Sequence, residues 1–458
     1  MNFKTHLKRF FSGDVLAGLS VATVALPVSI AYAQMMGLSP MVGVYSCVLP
    51  MLVYAFLGTS KQMIIGPDAA ICALMIAALA PWADGQTSPE NYHAIVVLLT
   101  FLSGVVCLIA WRFKLGFLAN LLSRPILIGL LNGVAIIIIV GQLGKIAGIA
   151  VEGQDVVGQL SSFYASIGKP HWLTVGLTVL LFVMYGVLSR LLRKAPVALV
   201  IAVFAVILSM LFDLEHYGIS VVGEITSGFP TFHWPDVERE EWGGLLGSAI
   251  AIAFMSFSGM ALTGRSFAAK HGDELDDDRE LFATGAANIA SAISQGFAIS
   301  GANSRTAVSD AAGGKTQKVQ VVAALIILLA AITLKRPIAY LPSAALGVIL
   351  IVSAVKLADF DALLRLRKYS LSETIISLTT TLAVVVIGVM PGIFLAVLLA
   401  IVNFLTRMAR PVEYHWGVMP GDPYYLVELE HHPEGQEIDG LLFYRFGAPL
   451  IFFNSGHF

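Results

Sequence analysis

Two short segments place polar groups inside apolar sequence, and both carry residues that could bind an anion. In the first, QMIIGPDAAICALM, Gly66 permits a sharp turn and Pro67 suits the first position of a helix. A helix that begins here exposes the backbone N–H groups of Asp68, Ala69 and Ala70, which can donate hydrogen bonds to an anion. The segment therefore predicts a helix N-terminus that attracts negative charge.

The second segment, QGFAISGANSRTAVSDAAGGKTQ, offers a similar helix start and adds a cation. Gly301 ends an extended piece, and Asn303 or Ser304 can cap the helix that follows. Arg305 and Thr306 then lie in its first turn, and a guanidinium can bind carboxylate or sulfate through two parallel hydrogen bonds. An arginine buried at membrane depth is costly and usually marks a functional site or an ion pair.

Two alternative interpretations of these segments remain open. Gly66 and Pro67 could form only a kink within one long helix. Arg305 could be a loop arginine near the membrane surface. If the two helix starts do face each other, their dipoles and Arg305 together make a cavity that attracts an anion.

The elements that must position these segments are those of an all-α polytopic membrane protein. Of the 458 residues, 57% are hydrophobic and 13% are charged, whereas soluble domains carry about 25% charged residues. The formal net charge of −2 gives no indication of nucleic-acid binding. Three cysteines in apolar runs (Cys47, Cys72 and Cys107) predict neither a disulfide framework nor a metal site. No catalytic constellation is visible, so we predict no cofactor and no enzyme.

The apolar runs predict about fourteen spans in two sets of seven, separated by a polar interval. Because seven is odd, the second set crosses the membrane in the opposite sense, which predicts an inverted repeat. The third and tenth spans are too short to cross a bilayer, so we expect half-helices that meet at the midplane. The predicted spans are 14–36, 41–58, 67–81, 92–111, 124–147, 171–190, 195–213, 244–266, 280–296, 304–314, 317–334, 342–357, 370–388 and 391–408.

Most basic residues between the spans follow the positive-inside rule when both termini are cytoplasmic. Lys145, Lys169, Lys335 and Arg336 are exceptions to this topology. Lys315 and Gln317 mark the return of the tenth span to the cytoplasm. The resulting organisation is a cytoplasmic N-terminus at 1–12, repeats at 13–213 and 244–410, an external connection at 214–243, and an incomplete cytoplasmic segment with strand-like alternation at 411–458.

Residues 13–70 and 299–317 resemble the two signature motifs of the SulP sulfate-permease family of anion transporters. The end of the chain is similar to the beginning of a STAS domain, the family's cytoplasmic α/β appendage. The resemblance implies a core domain, made of spans one to four and eight to eleven, that moves against a gate domain. It further implies a homodimer in the lipid bilayer that carries sulfate, bicarbonate, chloride or dicarboxylates. The implied anion site comprises Tyr32, Asp68, Ala69, Ser304, Arg305 and Thr306.

Two positions depart from the family pattern. Val28 stands where the family's first-span motif has glutamine, which removes a polar side chain near the anion. Gly259 lies near the position at which many bacterial members carry an acidic residue that helps to bind a coupling cation. Sodium coupling is therefore disfavoured, although Ser256, Ser258 and Thr263 could offer oxygens.

These observations favour proton-coupled symport of a small anion across a bacterial inner membrane. Asp68 is the predicted proton-coupling group, because a charged carboxylate would compete with the substrate for the same N–H groups. The alternative for Asp68 is a purely structural helix cap. An anion exchanger or channel of the same family, and a nucleobase permease of the same fold, remain the competing functions.

Overall fold

The computed structural model describes residues 3–83, 87–120, 124–153, 155–191, 197–223, 239–420, 422–452 and 454–458. Most of the predicted external connection, at 224–238, lies outside these residues. The chain forms two compact units, Met1–Leu395 and Ala396–Phe458. The α-helices are α1 (Phe3–Met35), α2 (Pro40–Leu57), α3 (Ala69–Leu79), α4 (Pro89–Arg112), α5 (Arg124–Ala147), α6 (Val156–Ser166), α7 (Trp172–Leu191), α8 (Val197–Phe212), α9 (Arg239–His271), α10 (Asp277–Ile293), α11 (Asn303–Ala311), α12 (Lys318–Thr333), α13 (Lys335–Ala339), α14 (Ser343–Leu357), α15 (Phe360–Tyr369), α16 (Leu371–Val386) and α17 (Val389–Ala409).

Every predicted span coincides with one of these helices. Within the described residues, seven helical stretches are long and apolar enough to cross a bilayer, and several shorter apolar helices accompany them. The chain is an integral membrane protein, as its composition indicates. Three helices were not predicted, namely α6, α13 and α15. Helix α15 lies between two predicted spans, because its charged residues interrupt the apolar pattern.

The helices of the first unit pack mainly in two sets. In one set, α1, α2, α4, α9, α10 and α12 contact one another. In the other, α5, α7, α8, α14 and α16 do so. The two sets correspond to the predicted core and gate, and α3 contacts both α9 of the core and α5 of the gate.

Two short strands interrupt the helical chain where breaks were predicted. Strand β1 (Ile65–Gly66) precedes α3, and β2 (Ser300–Gly301) precedes α11. Helix α3 has 11 residues and α11 has 9, far fewer than the roughly 20 residues that a full span needs. The chain between the end of α2 at Leu57 and the start of α3 is not helical, which excludes the interpretation of a single kinked helix.

The second unit contains an antiparallel sheet with the strand order β4-β3-β5. Its strands are β3 (Glu413–Met419), β4 (Asp422–Glu428) and β5 (Phe443–Phe446). All three strands fall within 411–458, the segment whose alternation predicted strands. The described part of 411–458 contains no helix, so the α component expected of an α/β tail is not seen there.

Candidate functional site

The two half-helix starts are brought together by backbone pairing. Strands β1 and β2 are antiparallel, with Ile65 opposite Gly301 and Gly66 opposite Ser300. The Ala302 N–H also donates to the Ile64 carbonyl, at 2.9 Å. Because each strand leads directly into its helix, this pairing places the starts of α3 and α11 side by side inside the core.

Side chains complete the hydrogen bonding of this small sheet. Thr306 Oγ1 accepts from the Ile64 N–H at 3.0 Å and donates to the Ala302 carbonyl at 2.8 Å. Gln320 is fully buried on α12, and its amide accepts from the Ile65 N–H and donates to the Met63 carbonyl, both at 3.1 Å. A buried backbone group without a partner is costly, so these contacts stabilise the non-helical segment in the membrane.

The start of α3 is capped by its own carboxylate. Asp68 has extended backbone geometry at the N-cap position, and its Oδ2 accepts from the Ala70 N–H at 3.1 Å. Ala69 and Ala70 form the first turn and are buried. Asp68 therefore caps α3, and at this start a carboxylate already occupies the position that an anion would take.

The start of α11 differs, and it corrects the prediction that Asn303 or Ser304 forms the cap. The N-cap residue is Ala302, and no side chain among the described residues caps this end. Asn303 and Ser304 are the first two helical residues and are exposed. Since Ala302 takes the extended conformation that continues β2, the helix begins at Asn303, which leaves first-turn N–H groups available to an anion.

Arg305 lies between the two starts and is 2% exposed, which excludes its interpretation as a surface loop arginine. Its Nη2 donates to the carbonyl oxygen of Pro67, the residue before Asp68. Its Nη1 is buried and has no hydrogen-bond partner in the described chain. One arm of the guanidinium thus holds the α3 segment, and the other can donate to a ligand.

Glycine is required at two of the predicted positioning residues. Gly66 has a φ of +146°, and a Cβ there would lie 3.1 Å from Nη1 of Arg305. A Cβ at Gly301 would lie 2.8 Å from Sδ of Met63 and 2.9 Å from Cα of Met260. Any side chain at these positions would displace the guanidinium or the strand pair.

Tyr32 is the predicted site residue on α1. Its side chain is 5% exposed and lies within electrostatic range of Asp68 and Arg305, which places it near the two starts. All the predicted site residues thus lie at or beside the junction of α3 and α11. Among them, Asn303 and Ser304 are exposed.

At Gly259, where a carboxylate is absent from the eighth span, the Ser300 hydroxyl of β2 fills the space. A Cβ at Gly259 would lie only 2.7 Å from the Ser300 hydroxyl, which itself donates to the Ser256 carbonyl at 2.9 Å. Ser256 Oγ in turn donates to the Ile299 carbonyl at 2.5 Å. These hydroxyls therefore support the extended chain before α11.

Sequence reasoning missed several polar side chains that hold the site. Asn288 Oδ1 accepts from the Ile299 N–H at 2.9 Å. Gln317, whose predicted role is to mark the return to the cytoplasm, donates to the carbonyls of Ser60 and Met63. The sequence signal that could have found them is a side-chain amide in a helix of otherwise small or apolar residues, as at Asn288 and Gln320.

The fold and site together define a membrane transporter with two half-helices meeting inside a helical core. The sulfate permease family model matches residues 11–380. The probable sulfate transporter of Mycobacterium tuberculosis is 37% identical over 458 residues, which cover 100% of this chain and 81% of that protein.

Solved structures show the same fold. The structure of SLC26A9 superposes with a TM-score of 0.87 at 22% identity, covering 98% of this chain and 74% of that one. The transmembrane domain of the cyanobacterial bicarbonate transporter BicA gives a TM-score of 0.73 at 22% identity, covering 88% of this chain and 98% of that one. The chain belongs to the sulfate permease family of anion transporters, as its motifs predicted, and its family and relatives show that it is a transporter and not an enzyme.

Proposed function

We propose that this chain carries a small oxyanion or carboxylate in symport with a proton, and that the anion binds at the start of α11. The observation that carries the proposal is the buried Arg305 guanidinium, whose Nη1 has no partner among the described residues and which lies in the first turn of an uncapped helix. A helix N-terminus and a guanidinium both favour negative charge, and they donate hydrogen bonds from fixed positions.

Sulfate is the first candidate substrate. The relative with 37% identity is named a probable sulfate transporter, and BicA is a bicarbonate transporter. Sulfate, bicarbonate and the dicarboxylates fumarate and succinate all present oxygens to which the Arg305 fork and the backbone N–H groups can donate. Bicarbonate and the dicarboxylates are therefore the next candidates.

Asp68 is the proposed proton carrier. Its carboxylate accepts from the Ala70 N–H and attracts the same Arg305 that would bind the substrate. A second anion beside this carboxylate is repelled while the carboxylate is charged, so binding of the anion favours binding of a proton. No cation is invoked at Gly259, because the Ser300 hydroxyl fills that position.

Transport would follow from movement of the core against the gate. The paired strands hold both half-helix starts in one body, so the anion would move with the core. We further propose a homodimer in a bacterial inner membrane, with both termini in the cytoplasm.

A competition panel in proteoliposomes tests the anion. Uptake of labelled sulfate would be measured against unlabelled sulfate, bicarbonate, chloride, nitrate, fumarate and succinate, with pH and sodium gradients imposed separately. We expect saturable sulfate uptake that an inward proton gradient stimulates and a sodium gradient does not. Flux that rises without saturation would indicate a channel and contradict symport.

The substitution Asp68→Asn tests the coupling group, because asparagine also caps helices but does not ionise. We expect anion binding to persist while stimulation by the proton gradient is lost. Asp155→Asn, at another aspartate-capped helix start, is the matched control and should transport like the parent. Uptake by Asp68→Asn that still follows the pH gradient would rule out the role of Asp68 in coupling. The proposal that the chain transports an anion would then be tested by the competition panel alone.

A further inference from the structure

Helix α15 joins α14 and α16, the helices of two predicted spans, through very short connections. Only Ala358 and Asp359 separate it from α14, and only Ser370 separates it from α16. The backbone turns at both ends, because Ala358 and Ser370 are extended. Since α14 and α16 both belong to predicted spans, these connections hold α15 at the surface of the membrane.

One face of α15 is fixed to the protein. The helix contacts α5 and α16, and its Ala362 is 3% exposed. The Asp359 N–H donates to Asn132 Oδ1 of α5 at 2.8 Å, and Asp359 Oδ1 accepts from the Ala362 N–H at 2.8 Å. The acidic end of α15 is thus anchored to the gate, which leaves the opposite face exposed.

The exposed face combines apolar and basic residues. Phe360 is 53% and Leu364 is 62% exposed, and their spacing of four places them on one stripe. Arg367 and Lys368 follow one turn later and flank this stripe. Both are exposed, and neither makes an ion pair or hydrogen bond among the described residues, whereas Arg365 lies 3.5 Å from Asp359.

We propose that α15 is an interfacial helix that binds anionic lipid headgroups through Arg367 and Lys368, while Phe360 and Leu364 enter the acyl region. An apolar stripe bordered by basic residues is the pattern of helices that lie in the membrane interface. Unpaired basic residues at that depth attract anionic lipids. Because α15 links two gate helices, the bound lipid would contact the gate, against which the core moves.

Native mass spectrometry of the full chain, titrated with phosphatidylglycerol or phosphatidylcholine, tests the headgroup site. Two basic residues contribute about 25-fold to affinity at a membrane surface, so Arg367→Gln/Lys368→Gln should weaken phosphatidylglycerol binding by about that factor. Arg112→Gln/Arg190→Gln, which removes the same charge at the ends of α4 and α7, should bind like the parent. Equal binding of phosphatidylcholine, or unchanged binding by the first variant, overturns the proposal.

Two further measurements keep the test decisive. The single variants Arg367→Gln and Lys368→Gln should each lose about fivefold, and Arg367→Lys should keep its affinity. In vesicles, a tryptophan introduced by Phe360→Trp should be quenched by brominated phosphatidylglycerol beyond the quenching of the parent. If this tryptophan is not quenched, the face is covered by protein and the lipid assignment is wrong.

Discussion

Helices α3 and α11 are alike in backbone and opposite in charge chemistry. Each follows a two-residue strand, and the two strands pair with each other. The α3 start is capped by the Asp68 carboxylate, whereas the α11 start has no cap from any described side chain and contains Arg305. Both helix starts present backbone N–H groups that could bind an anion. At α3 the Asp68 carboxylate already accepts from them, whereas at α11 they remain open.

In the proposed mechanism, this difference gives the two starts separate roles. The open start and Arg305 would bind the anion, and protonation of the Asp68 carboxylate would change the charge of the site. Arg305 joins them, because its Nη2 donates to Pro67 on the α3 side while its Nη1 remains available. Substitutions that exchange or remove these features should affect the two starts differently.

The largest effect is expected from Arg305→Ala. Loss of a buried, hydrogen-bonded charge partner typically costs 2–5 kcal/mol, so sulfate uptake at subsaturating concentration should fall by about 100-fold. Arg305→Lys keeps the charge but not the planar fork and should recover only part of the rate. Initial rates of tracer uptake measure this, with Arg190→Ala as an exposed control. Parental uptake by Arg305→Ala would contradict the role of the guanidinium.

The second-largest effect is expected when a carboxylate is placed at the open start of α11. Ser304→Asp gives α11 a tethered anion of the kind that α3 already has, and it should weaken sulfate binding by about tenfold or more. Ser304→Asn has nearly the same shape and no charge, so it should bind sulfate like the parent. Equilibrium binding of labelled sulfate to purified protein distinguishes the two variants. Equal affinities would show that the anion does not approach this start.

Gly66→Ala tests the backbone that both starts share. The φ of +146° and the 3.1 Å approach to Arg305 Nη1 should destabilise the protein by about 1–3 kcal/mol and reduce uptake. Gly176→Ala is the control, because no atom of the described part of the chain lies within 4 Å of a Cβ at that position. Thermal unfolding of the purified proteins gives the comparison. A variant as stable as the control would mean that residue 66 does not need glycine.

The sequence was sufficient to predict the half-helices, because Gly-Pro and Gly-Ala-Asn breaks stand out in apolar runs. It was not sufficient to identify the α11 cap. Which residue begins a helix depends on how far the preceding extended chain is held. Here the Ile64 carbonyl, just before β1, accepts from the Ala302 N–H and keeps Ala302 extended. Nor could it assign Gln320, whose backbone partner Ile65 lies 255 residues earlier in the chain.

The smallest effect concerns the segment that leads to α3. A hydrogen bond from Lys61 holds the pKa of Asp273 below its ordinary value. Because this pKa is lower in the folded than in the unfolded chain, the contribution to stability is present above about pH 4. It is lost as the pH falls through the lowered pKa.

Asp273→Asn should therefore lower the melting temperature slightly at neutral pH and reduce its decline in acid. The effect should also shrink in high salt, since the pair is solvent-accessible. Melting curves from pH 7 to pH 3 provide the measurement. An acid dependence identical to that of the parent would contradict the contribution of this pair.

The most direct test of the central claim is to locate a bound oxyanion. Crystals of the full chain soaked with selenate, a tetrahedral analogue of sulfate, would be measured at the selenium absorption edge. The predicted result is an anomalous peak within hydrogen-bond distance of Arg305 Nη1 and of the first backbone N–H groups of α11. A peak only at the start of α3, or none at either start, would contradict the claim that the open helix start binds the anion.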